Sequence, residues 1–284
     1  MTVGSLLQKI SHTLKSTSPT PQLDAEVLMM HATGLDRSAL MTSGNAALAN
    51  GQELLLEKLL ARRLHGEPIA YITGVREFWS MELNVTPATL IPRPETELLV
   101  EKALTRIPKD ATWKIADLGT GAGAIALALA KERPHCHLIA TDISSAALET
   151  AQTNIKKLRL KNIELRQGSW FVPLADEKLD MIVSNPPYVN RDDPHLEQGD
   201  VRFEPQQALI AGLGGFDAVR HISMHAQEYL KDMGKLLLEH GWDQAVKIHG
   251  ILHHDNWRMI THYPDFAGHN RVIEAVTSKS AALI

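Results

Sequence analysis

Apolar residues recur at helical spacing through the first seventy residues of the chain. In PQLDAEVLMMHATGL, Leu23, Val27 and Met30 are three or four residues apart, and Gly34 follows as a plausible C-cap. A similar pattern returns in NGQELLLEKLLARRLHG, which ends at Gly66. The periodicity predicts an N-terminal helical bundle over residues 1–73.

The pattern then changes to one that favours β-structure. The stretch REFWSMELNVTPATLIPRP contains aromatic and β-branched residues, a Thr-Pro break and three prolines. We predict a short hairpin, from Glu77 to about Leu90, inside a linker that spans residues 74–92. The helical pattern of ETELLVEKALTRI follows and begins a second domain, predicted over residues 93–284.

Apolar strand-like runs alternate with amphipathic helices from Trp113 onward. Such alternation predicts an α/β fold with a mostly parallel sheet and right-handed crossovers. Ligands of open sheets bind beyond the carboxyl ends of the strands, near the switch in strand order. The predicted strands are WKIADLG, LIATDI, NIELRQ, KLDMIVSN, KLLLEHG, RMITHY and RVIEAV.

A glycine-rich loop follows the first of these strands. In IADLGTGAGAIALALA, the glycines are Gly119, Gly121 and Gly123, with Thr120 and Ala122 between them. Glycine lets the backbone approach a ligand closely, and the N-terminus of the following helix offers free N–H groups. The loop indicates a nucleoside cofactor. Its spacing fits S-adenosylmethionine better than a dinucleotide, although the dinucleotide stays possible at this point.

Two further residues at strand ends are candidates for cofactor binding. Asp142 ends the second strand about twenty residues past the glycines, where a carboxylate can accept both ribose hydroxyls. Its alternative role is the N-cap of the next helix. Trp170 follows the third strand and can stack on an adenine ring, or it can be an ordinary core aromatic.

The fourth strand ends in SNPPY, which is unusual where a buried strand stops. The side-chain carbonyl of Asn185 and the backbone carbonyl of Pro186 can both accept hydrogen bonds from a planar –NH₂ group. Tyr188 offers an aromatic surface to pack that group, and Pro187 stiffens the segment. A rigid turn with a capping Asn is the alternative. The motif therefore predicts a binding site for a flat amino or amide group.

Composition and charge limit the classes of partner that this protein is expected to bind. The chain has 29 Lys and Arg against 33 Asp and Glu, a net charge of −4, so it lacks the basic excess typical of nucleic-acid binding. The single cysteine, Cys136, excludes an internal disulfide, and no apolar run approaches a membrane span. We expect a cytoplasmic protein without membrane or direct nucleic-acid contact. In PHCHL, His135 and His137 point away from Cys136 on a strand, so no metal is expected.

Several segments together resemble the bacterial peptide-chain release factor glutamine methyltransferases. They are GEPIAYITGVREFWSMELNVTPATLIPRPETELL, LGTGAGAIAL, VSNPPY and DVRFEPQQAL, and the resemblance covers nearly the whole chain. It implies a class I S-adenosylmethionine-dependent methyltransferase domain, Rossmann-like with seven strands, behind a helical domain for substrate recognition. It also implies methylation of the side-chain amide nitrogen (N5) of the Gln in the Gly-Gly-Gln motif of class 1 release factors. The product of the cofactor is S-adenosylhomocysteine, and we expect a monomer.

The resemblance also assigns roles to individual residues. The loop from Gly119 to Gly123, with Asp142, Trp170 and Asn185, would surround the cofactor. The segment Asn185 to Tyr188 would hold the glutamine, with Asn185, Pro186 and Tyr188 as the catalytic set. Two positions depart from the family pattern: Ala122 stands where Thr or Ser is expected, and Ser169 where Asp is expected. The second removes a carboxylate near the adenine.

Other functions remain open from the sequence. An adenine-N6 methyltransferase acting on DNA or RNA is the main alternative, because adenine also presents a planar –NH₂ group. A non-catalytic cofactor-binding protein and a nicotinamide dehydrogenase are more distant ones. The long segment from Val189 to about Gly215 contains the acidic stretch DDPHLEQGD, which is either a surface for a basic partner or a solvated loop.

Overall fold

The structure, a computed structural model, describes residues 2–277. These divide into two compact units, one of residues up to Val75 with His195–Phe203, the other of Arg76–Pro194 with the chain from Glu204 onward. The predicted domain limits at residues 1 and 284 lie outside the described residues. The internal limits, between 73 and 74 and between 92 and 93, stay predictions.

The first unit is helical. Helix α2 (Pro21–Thr33) has Pro21 at its first position and is followed by Gly34, whose φ of 74° is that of the left-handed C-cap predicted there. Apolar residues of five helices pack into one core, which includes Leu6, Leu28 and Leu59. The helices are α1 (Val3–Leu14), α2 (Pro21–Thr33), α3 (Arg37–Thr42), α4 (Asn50–Leu64) and α5 (Ile69–Thr73).

A buried arginine joins distant parts of the first unit. Arg63 on α4 has a side chain only 4% exposed. Its Nε donates to Asp24 Oδ2 at 2.7 Å, and a second nitrogen donates to Asp200 Oδ1 at 2.8 Å. Asp200 belongs to the predicted acidic stretch, so one carboxylate of that stretch pairs within the helical unit.

A two-stranded hairpin comes next, formed by β1 (Val75–Phe78) and β2 (Met81–Asn84). Its turn residues Trp79 and Ser80 both have positive φ, near 52° and 51°, which matches the turn geometry that tight hairpins prefer. The hairpin ends earlier than predicted. The residues after Asn84 form no strand up to residue 93, since Pro87 and Pro92 supply no N–H for a ladder.

The second unit is built on a sheet of seven strands within residues 2–277. The strands are β3 (Lys114–Leu118), β4 (His137–Asp142), β5 (Ile163–Gln167), β6 (Leu179–Ser184), β7 (Leu230–Glu239), β8 (Arg258–Pro264) and β9 (Asn270–Val276). They lie in the order β5-β4-β3-β6-β7-β9-β8, and β9 runs antiparallel to the other six. The predicted α/β fold with a mostly parallel sheet is therefore confirmed. The helices are α6 (Thr96–Arg106), α7 (Ala124–Glu132), α8 (Ser145–Leu158), α9 (Asp217–Tyr229) and α10 (Ala245–His254).

Helices cover both faces of this sheet. Side chains of successive strand residues point to opposite faces, so Ile115 joins a core with α6, α7 and α8, while Ala116 joins a core with α9 and α10. Cys136 is buried in the first of these cores, where burial raises the pKa of its thiol. Burial on both faces explains why the central strands read as continuous apolar runs. No helix within residues 2–277 is long and apolar enough to cross a membrane.

The long segment after β6 has structure of its own. It contains three short 3₁₀ turns, Pro194–Glu197, Val201–Phe203 and Gln206–Ala208. Val189 also forms a parallel bridge with Ile210. The segment therefore leaves the second unit, contributes His195–Phe203 to the first, and returns at Glu204.

Candidate active site

Sheet register brings the predicted site residues to one edge. Leu118 at the end of β3 pairs with Thr141 on β4 and with Ser184 on β6. The residues that follow these three are Gly119, Asp142 and Asn185, and they leave the sheet side by side. This is the point at which strand order reverses, where open α/β sheets bind their ligands.

The glycine loop forms the floor of the site. Gly119, Gly121 and Gly123 have φ of 70°, 57° and 88°, a backbone conformation that residues with a Cβ rarely adopt. The N–H groups of Gly119 and Thr120 both donate to Thr141 O at 2.9 Å, which fastens the loop to β4. Helix α7 begins directly after Gly123, and its first two residues, Ala124 and Ile125, contribute to the site.

Asp142 holds the loop and retains capacity for a ligand. Its Oδ2 accepts from Gly121 N and its Oδ1 accepts from Ser144 N, each at 2.9 Å. Helix α8 is capped by the Ser144 side chain, which accepts from Ala147 N, so Asp142 is not its N-cap. A carboxylate has about four acceptor positions, which leaves about two for the hydroxyls of a ribose.

A cavity of about 310 Å³ lies above this edge. Ser169, at the position where the family pattern has Asp, also lines it, so this wall has no carboxylate there. Three predicted residues, Gly123, Pro186 and Tyr188, are not part of the lining. The predicted residues that line it are Gly119, Thr120, Gly121, Ala122, Asp142, Trp170, Asn185 and Pro187.

Trp170 stands at the wall of the cavity. It is half-buried, packs against the core shared with α9 and α10, and has a φ of 46°. Its ring centroid is 6.1 Å from that of His221. The indole thus has both of the surroundings expected for it, core on one side and cavity on the other. Stacking on adenine stays a prediction.

Asn185 is oriented by a neighbour on α6. Its Nδ2 donates to the hydroxyl of Thr96 at 3.1 Å, and Thr96 is itself 3% exposed. With the –NH₂ end committed, the carbonyl end of the Asn185 amide is available as an acceptor. Pro186 is buried, and the backbone carbonyl of Tyr188 accepts from Gln244 Nε2 at 2.9 Å.

Comparison with known proteins identifies the family. Residues 5–74 match the PrmC N-terminal domain, and residues 94–202 match the methyltransferase small domain. The release factor glutamine methyltransferase of Salmonella typhimurium is 48% identical over 90% of this chain and 92% of its own length. The enzyme of the same name from Escherichia coli is 52% identical over 81% of this chain and 83% of its own.

The chain belongs to the release factor glutamine methyltransferase family.

A solved structure supports the fold. The methyltransferase from Pyrococcus furiosus superposes with a TM-score of 0.55 and 17% identity, over 78% of this chain and 99% of that one. Both the family resemblance and the Rossmann-like methyltransferase fold expected from the sequence are therefore confirmed.

Glu204 is a structural residue of this family member that the sequence reasoning missed. Its carboxylate is fully buried, accepts from Ile91 N at 3.0 Å through Oε2, and pairs with Arg93 through Oε1. It therefore joins the LIPRP stretch to the EPQQA stretch. Both stretches contribute to the cavity wall, for example through Pro92 and Pro205.

Asp117 is a second missed residue, and it supports the glycine loop from below. Its Oδ2 accepts from the Thr120 hydroxyl at 2.6 Å and from Ala126 N at 3.2 Å, whereas Oδ1 has no partner among the described residues. Complete burial raises the pKa of Asp117 to about 7. The two hydrogen bonds lower this pKa, but by less than burial raises it. An acidic residue just before the glycines was visible in the sequence but was not singled out.

Glu239, the third missed residue, ends β7 beside the SNPPY motif. It is 1% exposed, and burial raises the pKa of its carboxyl to about 7. The nearby hydroxyls of Thr96 and Tyr188 and the charge of Arg271 oppose that rise, and the charge of Glu95 adds to it. Burial, with the nearby Glu239 carboxylate, also raises the pKa of the Tyr188 phenol.

The raised pKa of Glu239 predicts a pH-dependent stability. A carboxyl with a higher pKa when folded binds protons more tightly in the folded state, so its contribution is full below the ordinary value of 4.5 and lost as pH rises through about 7. In the wild type, Tm should therefore fall as pH rises from 4.5 to about 7, and Glu239→Gln should make this fall smaller. The part of the fall that comes from Asp117 should remain. Calorimetric Tm against pH measures the slope. The exposed Glu101→Gln is the control, and a Glu239→Gln slope equal to it would contradict the assignment.

Proposed function

We propose that this protein transfers the methyl group of S-adenosylmethionine to the side-chain amide nitrogen of the Gln in the Gly-Gly-Gln motif of class 1 peptide-chain release factors. Family membership supports the reaction, and one observation of the site supports the chemistry. The Asn185 amide, with its –NH₂ end bound to Thr96, leaves an acceptor beside the glycine loop and Asp142. A planar –NH₂ group is the donor that fits such an acceptor.

The residues present fit the cofactor. The glycine loop allows close approach of the ligand, the start of α7 offers N–H groups for its carboxylate, and Asp142 has acceptor positions left for the ribose. Trp170 is the proposed partner of the adenine ring. S-adenosylmethionine supplies an electrophilic methyl group when bound, so the remaining task of the protein is placement.

Placement of the glutamine amide is assigned to the SNPPY motif. An amide nitrogen is a weak nucleophile because its lone pair is delocalised into the carbonyl. The side-chain oxygen of Asn185 and the backbone carbonyl of Pro186 would accept its two N–H groups and aim the nitrogen. Such orientation contributes about 7–11 kcal/mol in well-placed systems. As the nitrogen gains positive character the same acceptors bind it more strongly, and Tyr188 packs the motif.

The surroundings of the reaction are also proposed. The substrate is a protein, and the helical unit, with its PrmC N-terminal domain, is assigned to its recognition. We propose a monomer that works in the cytoplasm without direct nucleic-acid or membrane contact. The net charge of −4 supports a protein substrate over a phosphate backbone.

The function is tested by mass spectrometry. Purified protein, a class 1 release factor and S-adenosylmethionine are incubated, and the tryptic peptide with Gly-Gly-Gln is analysed. We expect one added methyl group, located on the Gln side chain by fragmentation. Parallel reactions contain DNA or RNA oligonucleotides in place of the release factor. Methylated adenine with an unmodified release factor would overturn the proposal in favour of an adenine-N6 methyltransferase.

Replacement of Asp142 by Ala should weaken binding of S-adenosylmethionine about 10- to 100-fold, because hydrogen bonds to a charged acceptor contribute about 1.5–3 kcal/mol. Titration calorimetry measures the dissociation constant. Asp176→Ala, at an exposed carboxylate outside the cavity lining, is the matched control. An unchanged affinity in Asp142→Ala would remove this residue from the cofactor site.

A cofactor analogue separates the ribose contact from loop support, since Asp142 also holds Gly121 and Ser144. S-adenosylmethionine lacking the ribose 2′-hydroxyl should bind less tightly than the parent to the wild type. With Asp142→Ala, the two ligands should bind almost equally. If the analogue loses the same factor with both proteins, the carboxylate acts on the loop and not on the ribose.

A further inference from the structure

One cationic side chain lines the cavity above the glycine loop. Among the lining residues within residues 2–277, Arg93 is the only Lys, Arg or His, and Asp142 is the only Asp or Glu. The roles assigned so far use the glycine loop, Asp142, Trp170 and Asn185, and they give Arg93 no part in ligand binding. The cofactor carries a carboxylate, so a positive charge in this cavity has a natural partner.

Arg93 is held by a buried carboxylate. The side chain of Glu204 is fully buried; its Oε1 accepts from Arg93 Nη2, and its Oε2 accepts from Ile91 N at 3.0 Å. The Arg93 side chain is itself 31% exposed. A guanidinium has five N–H donors, and Glu204 is the hydrogen-bond partner of this one within residues 2–277. The pair therefore fixes the direction of the Arg93 side chain and leaves donors available to a ligand.

The wall that carries Arg93 lies beside the end of β6. Thr96 N donates to Arg93 O at 3.1 Å, and the Thr96 hydroxyl accepts from Asn185 Nδ2, also at 3.1 Å. Arg93 is thus one turn of the chain before the residue that contacts Asn185. In the order of strands, β6 is three places from β5, the strand that Trp170 follows. At about 4.8 Å between neighbouring strands, β5 and β6 are about 14 Å apart, so Arg93 and Trp170 belong to opposite ends of the site.

The parts of S-adenosylmethionine match this layout. Adenine forms one end of the cofactor, the ribose and the sulfonium follow, and the amino and carboxylate groups form the other end. Along the edge of the sheet, Trp170 follows β5, Asp142 follows β4, Gly119 follows β3 and Asn185 follows β6. With adenine at Trp170 and the ribose at Asp142, the carboxylate end is directed towards β3 and β6, beside the wall that carries Arg93.

We propose that Arg93 binds the carboxylate of S-adenosylmethionine and that Glu204 positions the guanidinium for it. The inference rests on the proposed function through its cofactor alone. The planar fork of an arginine matches two carboxylate oxygens, whereas the N–H groups at the start of α7 offer that carboxylate only partial charges. A guanidinium already paired with one carboxylate can take another, as Arg63 does with Asp24 and Asp200 in this protein.

The test compares two ligands that differ in this carboxylate. Titration calorimetry without release factor gives the dissociation constants of S-adenosylmethionine and of its decarboxylated form. The wild type should bind the decarboxylated form at least about 10-fold less tightly, because hydrogen bonds between charged groups are among the strongest in proteins. With Arg93→Met, the two constants should lie within about threefold of each other. Arg93→Lys keeps the charge without the fork and should recover part of the difference.

Two further variants separate ligand binding from support of the cavity wall. Arg93→Met leaves the buried carboxylate of Glu204 without its partner, a change that lowers stability. Arg93→Met combined with Glu204→Gln removes that charge and should show the same small difference between the two ligands. Arg258→Met, at an exposed arginine outside the cavity lining, is the matched control and should leave both constants within about twofold of wild type.

The preference between the two ligands decides between a binding role and a structural role for Arg93. If Arg93→Met weakens both ligands by the same factor, so that the wild-type preference persists, Arg93 only supports the wall and the proposal is overturned. A wild type that binds both forms equally overturns it as well. A wild type that discriminates between them but never methylates a release factor would contradict the proposed function alone, since the binding measurement contains no release factor.

Discussion

Asn185→Ala should lower the single-turnover rate of methyl transfer by about 100-fold or more, as loss of one oriented polar group at a reacting centre does in other enzymes. The variant removes the side-chain acceptor that holds the substrate amide, together with the bond to Thr96. The rate is measured at saturating S-adenosylmethionine, so that any change in cofactor affinity does not contribute. Incorporation of labelled methyl into a release factor gives the readout.

The control for this variant is the same substitution at the exposed Asn45 in the helical unit, which should leave the rate within about twofold. Thermal unfolding of both variants shows that the fold is retained. Asn185→Ala with a rate within threefold of wild type would remove the side chain from the reaction. The backbone carbonyl of Pro186 would then be the remaining acceptor of the motif.

Arg63→Met should lower the free energy of unfolding by about 3–5 kcal/mol, the cost of leaving a buried partner charge uncompensated. The partner is Asp24, whose side chain is 7% exposed and whose Oδ2 lies 2.7 Å from Arg63 Nε. Met keeps much of the apolar volume of the Arg stem, so most of the loss is electrostatic. Denaturant unfolding followed by circular dichroism measures it.

Two comparisons make this result specific. All five tryptophans lie in the second unit. In Arg63→Met, the unfolding transition followed by tryptophan fluorescence should therefore shift less than the transition followed by circular dichroism. Arg62→Met removes the neighbouring but more exposed pair with Glu67, whose arginine is 43% exposed, and should cost no more than about 1 kcal/mol from the ion pair. Equal losses from the two arginine variants would contradict a special role for the buried one.

The parts of the site that could be predicted from the sequence are those set by local pattern and by parallel register. The glycines need positive φ, and the ends of β3, β4 and β6 must meet because neighbouring parallel strands end at one edge. Gly119, Asp142 and Asn185 followed from this reasoning. The sequence did not predict that Pro187 rather than Pro186 lines the cavity, because this depends on the direction in which the chain leaves the strand.

Most of the contacts that the sequence reasoning missed join residues remote in sequence, with Asp117, whose partners are Thr120 and Ala126, as the exception. Thr96 is 89 residues from Asn185, Glu204 is 113 from Ile91, and Asp200 is 137 from Arg63. Periodicity and turn signals report only neighbours along the chain. A buried glutamate such as Glu239 reads in LLLEHG as the polar end of a strand, and only packing reveals the hydroxyls around it.

The burial of Cys136 has a practical consequence for spectroscopy. The chain has a single thiol, it is 1% exposed, and its raised pKa keeps it protonated, so maleimide and other alkylating reagents should react with it slowly. A cysteine introduced at an exposed position of the 189–215 segment would then be labelled selectively with a fluorophore or spin label, with little labelling of Cys136. The distance changes of that segment during encounter with a release factor become measurable without first removing a native residue.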